Sequence, residues 1–209
     1  MAYAAPAHRR VPAALTLLER ALTGELALWL PSICISEARH PISTKFQVKN
    51  EADSVRQFLL WGKERQLITP DQETQTRVVL DKMEGSIRNE LNKLDERLAE
   101  LKTVKGLNIF DINRKMLERC SALSFGKLGL LPFDQAILAA ILVHAEELTA
   151  SGEKDLAFCE LDTDLQPWDK RNNKKNELAD LYDRARVWVY GDFLLETPEM
   201  PKGWPDLAT

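Results

Sequence analysis

The sequence predicts an α/β protein with a parallel central sheet and a long helical insertion arm. Three observations carry this. Short apolar runs alternate with helical patterns, as in "LAFCEL" (156–161), "KKNELADLYDRA" (174–185) and "VWVY" (187–190). Such alternation points to crossover helices joining parallel strands. "AILAAILV" (136–143) is apolar on every side, as a helix inside a core should be. After the capping segment Thr69–Gln72, the only helix breaker before Val104 is Gly85, so one charged helix is expected there.

The elements follow in order. "VPAALTLLERAL" (11–22) repeats its apolar residues at helical spacing and stops before Gly24. "LALWL" (26–30) suits a buried strand. Pro31 stands as a first-turn proline for the helical turn that carries Glu37. "EADSVRQFLLWGKERQL" (51–67) reads as an amphipathic helix. Thr69, Pro70 and Gln72 then form a capping box with a proline at the first helical position. Met83, Ile87, Leu91, Leu94, Leu98 and Leu101 step at intervals of 3 and 4, one apolar stripe on an arm on the order of 50 Å long. That stripe needs a cover, either from Ile112, Met116 and Leu123 of "DINRKMLERCSAL" (111–123) folding back, or from a second chain. The "FDQAILAAILVHAEEL" helix ends at the turn "SGEK" (151–154). The segment 194–209, with its prolines, reads as an irregular tail.

Composition narrows the function classes. The 209 residues carry a net charge of −4, so nucleic-acid binding would have to use a local patch rather than an overall basic field. The longest apolar run is far short of the ~20 residues that cross a bilayer, so no membrane partner is expected. "MAYAAPAHRR" lacks the order of a signal peptide. Cys34, Cys120 and Cys159 form no C-x-x-C pair and read as buried, reduced thiols of a cytoplasmic protein. A thiol enzyme using Cys34 or Cys159 has little support, since both fall in apolar runs that leave a thiol inert. His40 reads as an exposed loop or helix-end residue, and His144 as a residue late in its helix whose charge suits the dipole.

The acids form a pattern. In open parallel sheets ligands sit beyond the carboxyl ends of the strands. Glu37 follows one strand, Asp162 and Asp164 end another, and Asp134 opens the buried helix on the same edge. Clustered carboxylates repel one another unless a cation neutralises them, and oxygen-only ligands suit Mg²⁺ or Mn²⁺. A helix cap is the competing reading for Asp134, and a turn cap for Asp164.

"LWLPSICISEARH", "LPFDQAILAAIL" and "LAFCELDTDL", followed by a helix and the strand "VWVYGDF", resemble the PIN-domain family of nucleases. The resemblance covers about residues 1–40 and 130–193. It implies a three-layer fold over 1–193, interrupted by the arm at about 45–125. It also implies a metal-dependent ribonuclease, of toxin or RNA-processing type, that hydrolyses phosphodiester bonds. Glu37, Asp134 and Asp162 would be the metal ligands and Asp164 a further catalytic acid, with Mg²⁺ or Mn²⁺ activating a water for in-line attack. Arg9, Arg10, Arg39, Lys170, Arg171, Lys174 and Lys175 are the candidate RNA-binding residues, and Trp168 could stack on a base or pack on the sheet edge. The chain departs from the family in two ways. The segment between Glu37 and Asp134 is longer than usual, and the first strand with its Asp is absent. The expectation is an upstream extension of roughly 5–10 residues, one strand's length, ending in Asp-Thr-Asn or a close variant, without which activity is weakened. RNA, an antitoxin-like or other protein, and a second copy docked through the arm are the expected partners. The alternative function is a non-catalytic PIN-like scaffold that binds protein or RNA through that arm.

Overall fold

The computed structural model describes residues 5–7, 10–45, 48–126, 128–160, 162–169, 171, 173–191, 193 and 195. Arg9, Lys170 and the tail from Glu196 onward lie outside them. The described elements are α1 (Pro12–Leu22), β1 (Leu28–Pro31), α2 (Ser32–Lys45), α3 (Val48–Glu64), α4 (Pro70–Asn92), α5 (Leu94–Leu101), β2 (Leu107–Phe110), α6 (Arg114–Ser124), α7 (Pro132–Ala150), β3 (Leu156–Cys159), α8 (Asn176–Arg184) and β4 (Val187–Tyr190). The chain is mixed α/β, with two compact units: residues 1–11 with 36–104, and 12–35 with 105–209.

In the first unit, α3 and α4 form a helical hairpin around Ala52, Leu59, Leu80 and Ile68. The expected capping box is present: Thr69 Oγ1 accepts from the Gln72 N–H (3.3 Å), and Gln72 Oε1 accepts from the Thr69 N–H (2.9 Å). Glu73 ties the hairpin across its turn, with Lys63 Nζ at 2.9 Å and Arg77 Nη2 at 2.8 Å. Those two cations hold the Glu73 carboxyl below its ordinary value, the bond from Lys63 contributing most.

The expected single long helix is two helices. α4 ends at Asn92 and α5 begins at Leu94, with Lys93 at the break. The Arg97 guanidinium enters the break and donates to the Glu90 carbonyl, one of the acceptors a helix end leaves free. Asp95 and Glu96 occupy the first turn of α5, where the helix dipole favours acids. Ile87, Leu94, Leu98 and Leu101 of the stripe are buried, whereas Met83 is exposed. Within the second unit, Ile112 and Met116 pack with Ala140 and Val143, and Leu123 joins the core around Leu138 and Leu142.

The second unit is built on α7. Leu138, Leu142 and Ala145 pack into a core with Leu165, Leu178, Tyr182, Val187 and Val189. On its other side Ala140 and Val143 meet Met116, Phe110 and Ile112. An all-round apolar helix is buried on all sides, as its sequence requires. The strands form two parallel pairs rather than one sheet. Leu28 to Pro31 register with Leu107 to Phe110, and Leu156 to Cys159 with Val187 to Tyr190. β2 was not expected. It is four residues of "LNIF", too short for a period, between Gly106 and Asp111. Pro31 closes β1, and α2 starts one residue later.

Gly106 has a physical requirement. Its φ is +82°, and a Cβ there would stand 2.2 Å from the Ala21 carbonyl oxygen. Its own carbonyl accepts the Leu28 N–H at 2.9 Å, so the end of α1 and the start of the β1–β2 pair meet at a position only glycine fits. The three cysteines are half-buried rather than fully buried.

Candidate functional site

Asp134 sits at the third position of α7, after the N-cap Leu131 and the first-turn Pro132. Its carboxylate accepts from the Leu131 backbone N–H, which is half of a capping box. Leu131 has no side-chain oxygen to return the bond, so the cap is one-sided. The Asp134 carboxyl is nevertheless raised above the ordinary aspartate value. Burial is the largest cause, and the negative charges of Asp162 and Asp164 add to it. The charges of Asp162 and Asp164 on the turn after β3 therefore reach the carboxyl at the start of α7.

The turn after β3 orders its acids by a repeated local bond. Glu160 Oε1 accepts the Asp162 N–H at 2.8 Å, and Asp162 Oδ1 accepts the Asp164 N–H at 3.0 Å. Each acid fixes the backbone two residues on, the habit of Asx-type turns. Lys175 Nζ donates to the Thr163 and Asp164 carbonyls and closes the turn from the far side. Gln166, buried, donates from Nε2 to the Glu160 carbonyl at 2.7 Å. Asp162 and Asp164 thus stay exposed on a turn held by five separate bonds. Glu160 is the acid that the sequence reading missed. The available signal was its place at the strand end, directly before the expected pair.

The other candidates divide. Glu37 lies on α2 in the first unit and is half-buried. Arg39 pairs with Asp95 at 2.6 Å, and Arg10 Nε donates to the Ala5 carbonyl at 3.0 Å. The Lys175 ammonium is engaged at the acid turn. Lys174 pairs with Trp168 in an isolated antiparallel bridge, and Trp168 packs on the α7 core, as the sheet-edge alternative requires. The exposed Arg171 gives its backbone N–H to Asp169 Oδ1 at 2.7 Å, in a loop that Asn173 completes. Arg9 and Lys170 lie outside the described residues.

His144 is not a solvated cation at a helix end. Its ring stacks on Phe110, with centroids 4.0 Å apart and planes 17° apart, and tilts against Trp29 at 4.7 Å. Nε2 is buried without a hydrogen-bond partner, and burial lowers the imidazole pKa despite Glu147 nearby. The neutral ring is therefore the favoured form.

Among the described residues, no group of three or more His, Cys, Asp or Glu side chains is gathered so as to hold a metal ion. No described helix is long and apolar enough to cross a membrane. The chain matches no protein-family model, no curated protein and no solved structure.

Proposed function

We propose that the chain is a divalent-metal-dependent ribonuclease whose acidic site comprises Asp134, Asp162 and Asp164. The observation that carries this reading is the raised Asp134 carboxyl, with Asp162 and Asp164 among its causes. Mutual repulsion of this kind is relieved by a cation, and an oxygen-only donor set fits Mg²⁺ or Mn²⁺. Mg²⁺ keeps several of its waters and commonly takes one or two carboxylates, so a tight three-ligand cluster is not demanded of it. Asp134 and Asp162 would hold the ion, with Asp164 beside it. When bound, the ion would lower the pKa of a water and stabilise charge on the departing oxygen of a phosphodiester. The protein's own part is positional. The Leu131 N–H orients Asp134, while Glu160 and Lys175 fix the turn that presents Asp162 and Asp164. The resemblance to PIN domains supplies the RNA substrate. It also supplies the fold reading that goes with it, in which β1–β2 and β3–β4, both packed on α7, are portions of one central sheet in a three-layer fold.

Calorimetric titration with Mn²⁺ tests the proposal. The native chain should bind, and Asp134→Asn and Asp162→Asn should each weaken binding by roughly tenfold or more. Cleavage of a single-stranded RNA should require the metal and fall in the same variants. An absence of Mn²⁺ binding would leave the second reading, a non-catalytic scaffold.

A further inference from the structure

We propose that a second copy of this chain docks on the α3–α4 hairpin, making a symmetric, reversible dimer. The proposal is independent of the nuclease reading and rests on the first unit alone.

The hairpin exposes an unusual amount of apolar side chain. Phe58 is 61% exposed, Trp61 47%, Leu67 65%, Val79 64%, Val55 38% and Met83 37%. On α3, Val55, Phe58 and Trp61 repeat every three residues. On α4, Thr76, Val79 and Met83 step by three and four. Each set therefore forms a row along one side of its helix. A groove runs between the rows, lined by Val55, Phe58, Leu59, Leu67, Ile68, Gln72 and Thr76. Gly62 allows it: a Cβ there would stand 2.4 Å from Ile68 Cδ1, so the absence of a side chain lets Ile68 lie against α3. Phe58 and Trp61 stand together beside the groove, with ring centroids 5.7 Å apart.

Three features select a second copy as the occupant. The face holds a projecting aromatic edge, Phe58 with Trp61, and the groove whose wall Phe58 forms. A two-fold interface needs just this self-complementarity, each copy's projection entering the other's groove. The groove lining has no charged residue. Two chains of net charge −4 can therefore meet there without opposing like charges, whereas a face for a charged partner would carry the opposite sign. Area agrees as well. Phe58 and Trp61, each about half exposed of the ~150–250 Å² that an aromatic side chain carries, present with Val55, Leu67, Val79 and Met83 on the order of several hundred Å² per copy, below the ~800 Å² per partner of an ordinary specific interface. This places the dimer at the smaller end, where association is reversible.

Sedimentation equilibrium of the full chain over a wide concentration range is the test. The expected result is a reversible rise in mass from 23.8 kDa toward twice that value. Phe58→Glu combined with Val79→Glu should weaken association at least tenfold. Both sites are exposed, so the helical circular dichroism should be unchanged. Leu117→Glu, an equally exposed apolar site on α6, should leave the dimer intact. A native chain that stays monomeric at every concentration would overturn the proposal and leave the face to a different protein. A dimer that survives the folded double variant would overturn it as well.

Discussion

At Asp134 one side chain serves the helix and faces other acids at the same time. The Leu131 N–H stabilises its charge, while burial and the charges of Asp162 and Asp164 oppose it. The balance is a raised pKa. The folded state therefore binds the proton more tightly than the unfolded chain does, and the stability this contributes is lost as pH rises through the folded value. His144 runs the other way. Its lowered pKa means the fold favours the neutral ring, so stability is full above the ordinary histidine value near 6.5 and falls as pH drops below it. Glu147 offers little counter-charge, since its nearest contact to the ring is 4.0 Å and Lys115 also draws on it at 3.6 Å. Thermal melts between pH 7.5 and 5 should show a loss on the acid side, and His144→Phe should flatten it. An equal acid loss in that variant would assign the effect to another group.

Elements here are set by local chemistry at their ends and by packing along their length. The capping box at Thr69 was legible because its parts are contiguous in sequence. Thr69→Ala should lower stability by about 0.5–2 kcal/mol, measured by denaturant unfolding followed on the helical signal. No change would mean that the Glu73 ion pairs set the start of α4 without the cap. The break at Lys93 was not legible. It depends on Arg97, which reaches back to the Glu90 carbonyl and also to the Ala5 carbonyl, 92 positions away in sequence. No helical propensity between Thr69 and Val104 announces such a contact. β2 escaped for a related reason. Four residues do not establish a period, and what makes them a strand is the row of hydrogen bonds from β1.

For the molecule as a whole, the joints between elements decide more than the elements do. Gly106 is one such joint, where α1, β1 and β2 converge on a backbone that leaves no room for a methyl group. Gly106→Ala combines a left-handed conformation with a backbone clash and should destabilise by roughly 2–4 kcal/mol, a large share of the ~5–15 kcal/mol holding a domain. Differential scanning calorimetry reads this directly. A loss under ~1 kcal/mol would mean that the loop shifts freely and that the joint is not fixed.

The amino-acid sequence determined most of the element list: α1, β1, α3, the start of α4, α7, α8, β3 and β4 all fall near the positions that apolar spacing and end signals indicated. It also singled out Asp134, Asp162 and Asp164, since strand ends and helix starts are local features. Tertiary structure alone decided four matters. It divided the long helix at Lys93, and it paired the strands two by two. It left the exposed apolar face on α3–α4 rather than on the expected stripe, whose Ile87, Leu94, Leu98 and Leu101 are buried. It converted His144 from an expected surface cation into a neutral ring stacked on Phe110. The physical reason is common to all four. Spacing along the chain states which residues must leave water, but which partners cover them, and which backbone groups remain to be paired, depends on contacts between residues far apart in sequence.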